Sequence, residues 1–169
     1  MATAKNAAKR PPATATAAKT DATALLERDH AEVKKLFKQY EKLADAEVDG
    51  GERQALAEQI CAMLTVHATI EEEIFYPAAR EAEVEDDLLN EAEVEHASAK
   101  DLIAQIQATG PDDELYDAKV TVLGEYIDHH VQEEETEMFP KCRRAKMDLA
   151  ALAETLADRK AELMAEVAA

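Results

Sequence analysis

The chain has 169 residues and a formal net charge of −18, with 37 acidic residues against 19 lysines and arginines. This length fits one domain with a substantial core, and such an excess of acid makes nucleic acid and anionic membranes poor partners for the body of the protein. No apolar run approaches the roughly 20 residues of a membrane-spanning helix, and the N-terminus lacks the apolar core of a signal peptide, so we expect a cytoplasmic protein.

The first 21 residues differ in composition from the rest of the chain. Residues 1–21 are rich in alanine, threonine, proline and lysine and show no periodic apolar face. Such a segment cannot bury enough apolar surface to fold, so we predict a disordered basic tail. We favour a solubilising extension over a segment that touches nucleic acid or the acidic body of another copy.

From residue 22 to residue 145 the apolar residues recur at helical spacing and form four stripes. The stripes end at breaks typical of helix termini: Gly50-Gly51, Pro77, Gly110-Pro111 and Pro140. Four amphipathic helices with short connections predict an all-α, up-down-up-down four-helix bundle. A further amphipathic helix, in residues 146–169, is expected to cap the bundle or to bind a second subunit.

One histidine lies on the inward stripe of each predicted bundle helix: His30, His67, His96 and His130. A single inward histidine is usually a hydrogen-bonded core residue. Four of them in phase with the apolar faces would leave many buried polar atoms to satisfy, unless they share a partner. We therefore interpret the four imidazoles as ligands of a buried metal centre.

Two glutamates follow histidines at a spacing of four residues. His67 with Glu71, and His130 with Glu134, lie about 40° apart around a helix and about 6 Å apart along it, so each pair directs a nitrogen and a carboxylate at one place. Buried carboxylates are paired or bind a cation, which makes both glutamates candidate ligands. We expect a solvated acidic face from the glutamates on other sides of these helices: Glu72, Glu73, Glu135 and Glu137.

The fourth helix offers two candidate histidines, because Glu133 follows His129 by four residues just as Glu134 follows His130. His130 lies three residues after Ile127 and is in the phase of the apolar stripe, whereas His129 is turned away by roughly 100°. We therefore predict His130 as the ligand. His129 is expected to be exposed or to contact a ligand from outside.

The chain repeats this pattern in two halves. The segment HATIEEEIFYP from His67 matches HVQEEETEMFP from His130, and HAEVKKL from His30 matches HASAKDL from His96. Each half is a helical hairpin that supplies a histidine from its first helix and a His-x-x-x-Glu pair from its second. Two hairpins packed with approximate two-fold symmetry bring four imidazoles and two carboxylates to the bundle centre, which is a donor set for two metal ions.

The repeated segments also carry prolines and aromatic residues. Pro77 and Pro140 are expected to end or kink their helices one and a half turns beyond the glutamate. We favour ordinary core packing over a role as walls of the metal site for the aromatic residues of these segments: Phe75, Tyr76 and Phe139.

These motifs resemble the hemerythrin-like HHE cation-binding domain over roughly residues 22–145. The resemblance implies a four-helix bundle with a non-haem di-iron centre, with two irons per chain joined by an oxo or hydroxo bridge. It further implies that the four histidines are terminal ligands and that Glu71 and Glu134 bridge the metals. Oxygen-carrying members have another histidine four residues from the first on the third helix, where this chain has Ala92 and Lys100, which argues against reversible oxygen carriage.

Ligand counting leaves room for a small molecule. Two octahedral ions need about twelve donor positions, of which the side chains fill about eight and a bridge about two, so about two stay open. Open positions suit oxygen, nitric oxide or peroxide. We therefore expect a protein that binds or senses oxygen, nitric oxide or iron. The alternatives are a di-iron enzyme that consumes peroxide or nitric oxide, with no catalytic residue assigned, and a helical interaction module with a structural metal.

Overall fold

The structure is a computed structural model that describes residues 20–169, and these residues form helices without any strand. The predicted tail falls almost entirely in residues 1–19, which lie outside the described residues. Between residues 20 and 169, no helix combines the length and the apolar character that crossing a bilayer requires.

The first hairpin consists of two helices. Helix α1 is Ala22–Asp45. Helix α2 begins as Gly50–Ile70, passes through a π-helical segment, Glu71–Phe75, and ends as Tyr76–Glu81. The two helices therefore span the whole first half of the repeated pattern.

The second hairpin has the same construction and is followed by one more helix. Helix α3 is Asp86–Gln107. Helix α4 comprises Tyr116–Glu133, a π-helical segment Glu134–Met138, and Phe139–Arg144. Helix α5 is Leu149–Val167. Helices α1–α4 form the up-down-up-down bundle that the sequence predicts.

Two apolar clusters fill the bundle, and the repeated histidines lie between them. One cluster includes Leu26, Ile70 and Phe139, near the proline-bearing ends of α2 and α4. The other includes Ile60 and Leu123, toward the opposite end. On each of the four helices the histidine falls between residues of the two clusters. The packing of the core therefore sets the height of the polar layer along the bundle.

Gly50-Gly51 does not end α1, contrary to the prediction. The chain reverses at Glu47, which has a left-handed φ of 50°, and the N–H of Val48 donates to the carbonyl of Leu43 at 3.2 Å. This closes the end of α1 with the hydrogen-bond pattern that usually employs glycine. The two glycines instead form the first turn of α2, where the Asp49 side chain accepts a bond from the N–H of Gly51.

Pro77 and Pro140 do not end their helices either, since α2 and α4 continue to Glu81 and Arg144. A proline inside a regular helix removes one hydrogen bond and clashes with the carbonyl four residues before it. In each helix the turn just ahead of the proline is widened instead. The N–H of Tyr76 bonds the carbonyl of Glu71, five residues back, which is the π-helical pattern. The widened turn takes that region out of regular α-helical register. The helix therefore accommodates the proline and continues beyond it.

Helix α5 packs along the first hairpin. Its Leu156 is fully buried in the apolar cluster near the prolines. Arg159 pairs with Glu73 of α2 at 2.8 Å, and Lys160 pairs with Asp29 of α1. The helix thus covers one side of the bundle, and self-association through it stays a prediction.

The left-handed Glu47 generates a test of this fold. A left-handed conformation costs an L-residue about 1–2 kcal/mol, and the extra freedom of glycine in the unfolded chain offsets about 0.5–1 kcal/mol of that. We expect Glu47→Gly to raise the free energy of unfolding by about 0.5–1 kcal/mol, measured by urea denaturation. As a control, Glu58→Gly in the exposed interior of α2 is expected to lower it by about 1 kcal/mol. A loss of stability in Glu47→Gly would contradict the assigned turn.

Candidate metal centre

The six residues predicted as ligands meet in the polar layer between the two apolar clusters. None of them is more than 8% exposed. They come from all four bundle helices: His30, His67, Glu71, His96, His130 and Glu134. The six side chains that helical phase predicts to point inward therefore meet in one buried volume.

One group of candidate donors contains the two histidines of the first hairpin, His30 and His67. Nε2 of His30 lies 3.1 Å from Nε2 of His67. The carboxylate of Glu71 lies 3.0 Å from Nε2 of His67, and that of Glu134 lies 3.2 Å from Nε2 of His30. One ligand atom from each of these four residues lies within 4.8 Å of the others. This spacing suits a single metal ion.

A second group, formed by Glu71, His96 and His130, lies across the bundle from the first. Nε2 of His96 lies 3.1 Å from Nε2 of His130. Oε2 of Glu71 is 3.2 Å from His96, and Oε1 of Glu134 is 3.4 Å from His130. Each glutamate therefore places its two oxygens against histidines of different groups. That is the arrangement of a carboxylate that bridges two cations.

The polar atoms of the centre fit a cation better than they fit one another. Oε1 of Glu71 and Oε2 of Glu134 are buried and accept no hydrogen bond of acceptable geometry. Buried carboxylate oxygens without partners are costly, and native proteins rarely leave them so. Metal ions placed between the facing Nε2 atoms would satisfy these oxygens and the imidazole lone pairs together. The donor set of imidazole and carboxylate is suited to first-row transition metals.

The outer nitrogen of each of the four candidate ligand histidines faces a further carboxylate. Within each hairpin, the residue before the first histidine contacts the second: Asp29 lies 3.3 Å from Nδ1 of His67, and Glu95 lies 2.6 Å from Nδ1 of His130. An ionised carboxylate can only accept a hydrogen bond, so Nδ1 carries the proton. Nε2 is then the nitrogen left to bind a metal.

The other two outer carboxylates cross between the hairpins. Glu72 accepts a bond from Nδ1 of His96 at 2.9 Å, and Glu135 accepts one from Nδ1 of His30 at 3.0 Å. Each follows a ligand glutamate by one residue, so it turns toward the neighbouring helix of the other half. The outer contacts thus obey the same two-fold symmetry as the ligands.

The expectation that all four flanking glutamates are solvated is wrong for two of them. Glu72 and Glu135 hold histidines, as described above, whereas Glu73 and Glu137 are exposed. Glu73 pairs with Arg159 on the surface. The repeat places a glutamate directly after each predicted ligand glutamate, but only the packing of the helices brings that residue against a histidine of the other hairpin.

His129 lies outside the centre, with a side chain that is 66% exposed. It contacts Glu133 at 3.2 Å and Glu95 at 3.5 Å. Because Glu95 also bonds His130, His129 reaches the centre only through that carboxylate.

A family model decides what kind of protein this is. Residues 21–142 match the model described as Hemerythrin HHE cation binding domain. The chain belongs to this family. The fold of this HHE domain also resembles the crystal structure of a hemerythrin HHE cation binding domain-containing protein from Mycobacterium kansasii. The two are 25% identical with a TM-score of 0.71, over 86% of this chain and 88% of the other.

A curated relative of the HHE domain is much longer. The chain is 31% identical over 119 residues to a protein named DNA nickase from Nostoc sp. (strain PCC 7120 / SAG 25.82 / UTEX 2576). The match covers 70% of this chain and 32% of that protein. This chain therefore spans about a third of the length of that relative.

The charges of the HHE domain compensate one another within the centre. Burial alone would lower the pKa of His67, but Glu71 and Asp29 outweigh burial and raise that pKa to about 10. Burial and the neighbouring Glu134 would raise the pKa of Glu71, but His67 and His96 outweigh them and lower it to about 2. Glu71 is therefore ionised at neutral pH, which is the state that binds cations. His67 carries a second proton at that pH, so a metal ion that binds its Nε2 has to displace this proton.

Tyr76 is a residue of the centre that the sequence reading assigned to ordinary core packing. Its hydroxyl donates to Oε1 of Glu134 at 2.6 Å and lies 3.3 Å from both Oε2 of Glu71 and Nε2 of His96. The widened turn between Glu71 and Pro77 carries the tyrosine inward, so regular 100° phasing misplaces it. Burial and the charges of both glutamates raise the pKa of Tyr76 well above its usual value.

The matching position in the second half is Phe139, which has no hydroxyl. Its ring stacks on His30, with centroids 5.9 Å apart and planes inclined by 5°. The two halves of the centre are therefore chemically different, since only the tyrosine brings a proton donor.

Glu72 and Glu73 provide a matched test of the outer carboxylates. Loss of a carboxylate behind a ligand histidine typically weakens metal affinity about 10–100-fold. We expect Glu72→Gln to weaken it by that factor, measured by competition with a chelator. Glu73→Gln, one residue on and directed at Arg159, is expected to leave the affinity unchanged. Equal effects of the two substitutions would contradict the assigned contact with His96.

Proposed function

We propose that this protein is a non-haem di-iron protein that binds oxygen or nitric oxide. His30 and His67 would hold one iron, His96 and His130 the other, and Glu71 and Glu134 would be shared. The observation that carries the proposal is the placement of each glutamate against histidines of both groups. When bound, iron supplies exchangeable positions at which a diatomic ligand can be held.

Access to the centre supports an exchangeable ligand over a purely structural metal. A cavity of about 400 Å³ reaches all four ligand histidines. A structural metal site is usually closed by its protein ligands, whereas a reactive site keeps an approach for a small molecule. The cavity therefore favours ligand binding over an interaction module with a structural metal.

We do not extend strand nicking to this chain. The relative that bears that name is about three times longer than the matched part, and the net charge of −18 repels the phosphates of nucleic acid. We place the protein in the cytoplasm, as the sequence led us to expect.

The metal content tests the proposal directly. Protein purified from its own host is expected to contain two irons per chain and to show near-ultraviolet bands of bridged iron. Nitric oxide added to the reduced protein should change that spectrum. We expect Glu134→Gln to reduce iron to well below two per chain, because a neutral amide compensates two cations poorly.

Two neighbouring positions supply the controls. Glu137 lies on the exposed face of the same helix, so the Glu137→Gln variant is expected to keep its iron. His129→Ala should keep iron as well, whereas His130→Ala should lose it. One zinc per chain, or iron that survives Glu134→Gln, would overturn the di-iron assignment.

Tyr76 favours a second candidate function, the disproportionation of hydrogen peroxide to water and oxygen. This reaction needs no other reductant, since one peroxide is reduced while another is oxidised. It does need protons to be moved at the oxygen atoms, and positioned donors contribute about 10²–10⁴-fold to such reactions. The Tyr76 hydroxyl is a donor that stays protonated and lies beside both shared carboxylates.

Peroxide turnover by the iron-loaded protein tests this candidate. If it holds, we expect Tyr76→Phe to lower the rate at least tenfold without changing iron content. Tyr126→Phe is the matched control, because Tyr126 is 49% exposed and lies outside the centre. A protein that binds two irons and nitric oxide but turns over no peroxide would leave ligand binding as the function.

A further inference from the structure

The cavity beside the histidines is larger than a diatomic ligand requires. Its volume is about 400 Å³, whereas one water molecule occupies about 30 Å³ in the liquid. Pockets for small organic molecules typically measure about 300–1,000 Å³. The lining is mainly apolar and includes Val33, Met63, Val66, Ile103, Ile127 and Met164. The size and the lining therefore fit an organic molecule.

The lining of the cavity extends along the bundle away from the histidines. Its lining runs along α2 from His67 back to Gln59, a distance of about 12 Å at 1.5 Å per residue. Along α3 it runs from His96 to Ile103, about 10 Å. All four ligand histidines line it. An occupant would therefore place one end against the imidazoles and extend away from them along the bundle.

Helix α5 forms the outer wall of the cavity. Lys160, Met164 and Val167 line it from this helix. Met164 and Val167 remain 38% and 51% exposed, so apolar surface continues from the cavity to the outside of the protein. Helix α5 packs on α1 and α2, while α3 and α4 line the cavity with residues such as Ile103 and Ile127. The cavity therefore lies between the two hairpins, and α5 covers it from the side of the first.

The charges around the cavity select against an anionic occupant. The two lysines that line it are already paired, Lys160 with Asp29 and Lys100 with Glu72. Each of those carboxylates also holds a ligand histidine, so neither lysine is free to bind a carboxylate from a ligand without disturbing the centre. The net charge of −18 repels anions as well.

We propose that this cavity binds an uncharged aliphatic molecule of medium length with a single oxygen-bearing end, such as a hydroxyl or hydroperoxide. The oxygen end lies at the four histidines, and the chain lies between the two hairpins, under the cover of α5. This inference goes beyond the binding of oxygen or nitric oxide and holds whichever of these the metal centre takes.

Calorimetric titration of the full, metal-loaded chain with octanol tests the proposal. We expect saturable binding of one octanol per chain, and binding of octanoate at least tenfold weaker because of its charge. Ala62 lines the cavity and is partly exposed, so Ala62→Phe fills the space from its edge and should weaken octanol binding at least tenfold. Ala55→Phe is the matched control on the exposed face of the same helix and should bind octanol as the unchanged protein does.

The outcomes separate this inference from the proposed function. Iron is measured in every sample. A failure of the di-iron proposal therefore appears in the metal content, whereas a failure of this inference appears in the octanol titration. Absence of saturable octanol binding at full metal content overturns the inference. Equal binding by Ala62→Phe and Ala55→Phe also overturns it, since octanol would then bind elsewhere. Should Ala62→Phe fail to fold, Ala62→Leu, a smaller filler, is expected to weaken binding in the same direction.

Discussion

At the centre of the bundle, two buried carboxylates stand against four imidazoles, and the free energy of this arrangement depends on mutual charge compensation. A buried carboxylate without a partner is strongly unfavourable. Here Glu71 and Glu134 each lie against two histidines, and a carboxylate holds the far side of each imidazole. Two inward oxygens still lack hydrogen bonds, and bound cations would complete the compensation. The two apolar clusters above and below lower the local dielectric constant, which makes this requirement stricter.

The contacts of the centre also hold the two hairpins together. Each shared glutamate contacts a histidine of the opposite hairpin, and so do the outer carboxylates Glu72 and Glu135. Neither hairpin alone contains a complete donor group, because each group of histidines comes from one hairpin while its second carboxylate comes from the other. Assembly of the bundle and assembly of the metal centre are therefore the same event. We expect metal binding to stabilise the fold for this reason.

Departures from two-fold symmetry distinguish the two sides of this HHE domain. Helix α5 covers the first hairpin and encloses an apolar cavity that ends at the histidines. Tyr76 brings a hydroxyl to the shared carboxylates, where the equivalent Phe139 stacks on His30. The six candidate donors thus obey the two-fold symmetry, while the cavity under α5 and the hydroxyl of Tyr76 break it.

The sequence by itself determined the bundle and the six inward donors, because helical periodicity and the internal repeat are local properties of the chain. The choice of His130 over His129 followed from helical phase alone, and the structure buries the first and exposes the second. Tertiary structure decided what depends on contacts between helices or on a change of helical period. Glu72 and Glu135 hold histidines of the other hairpin, which no single-helix pattern reveals. Tyr76 enters the centre because a π-helical turn adds a residue before Pro77, and regular phasing cannot anticipate that shift.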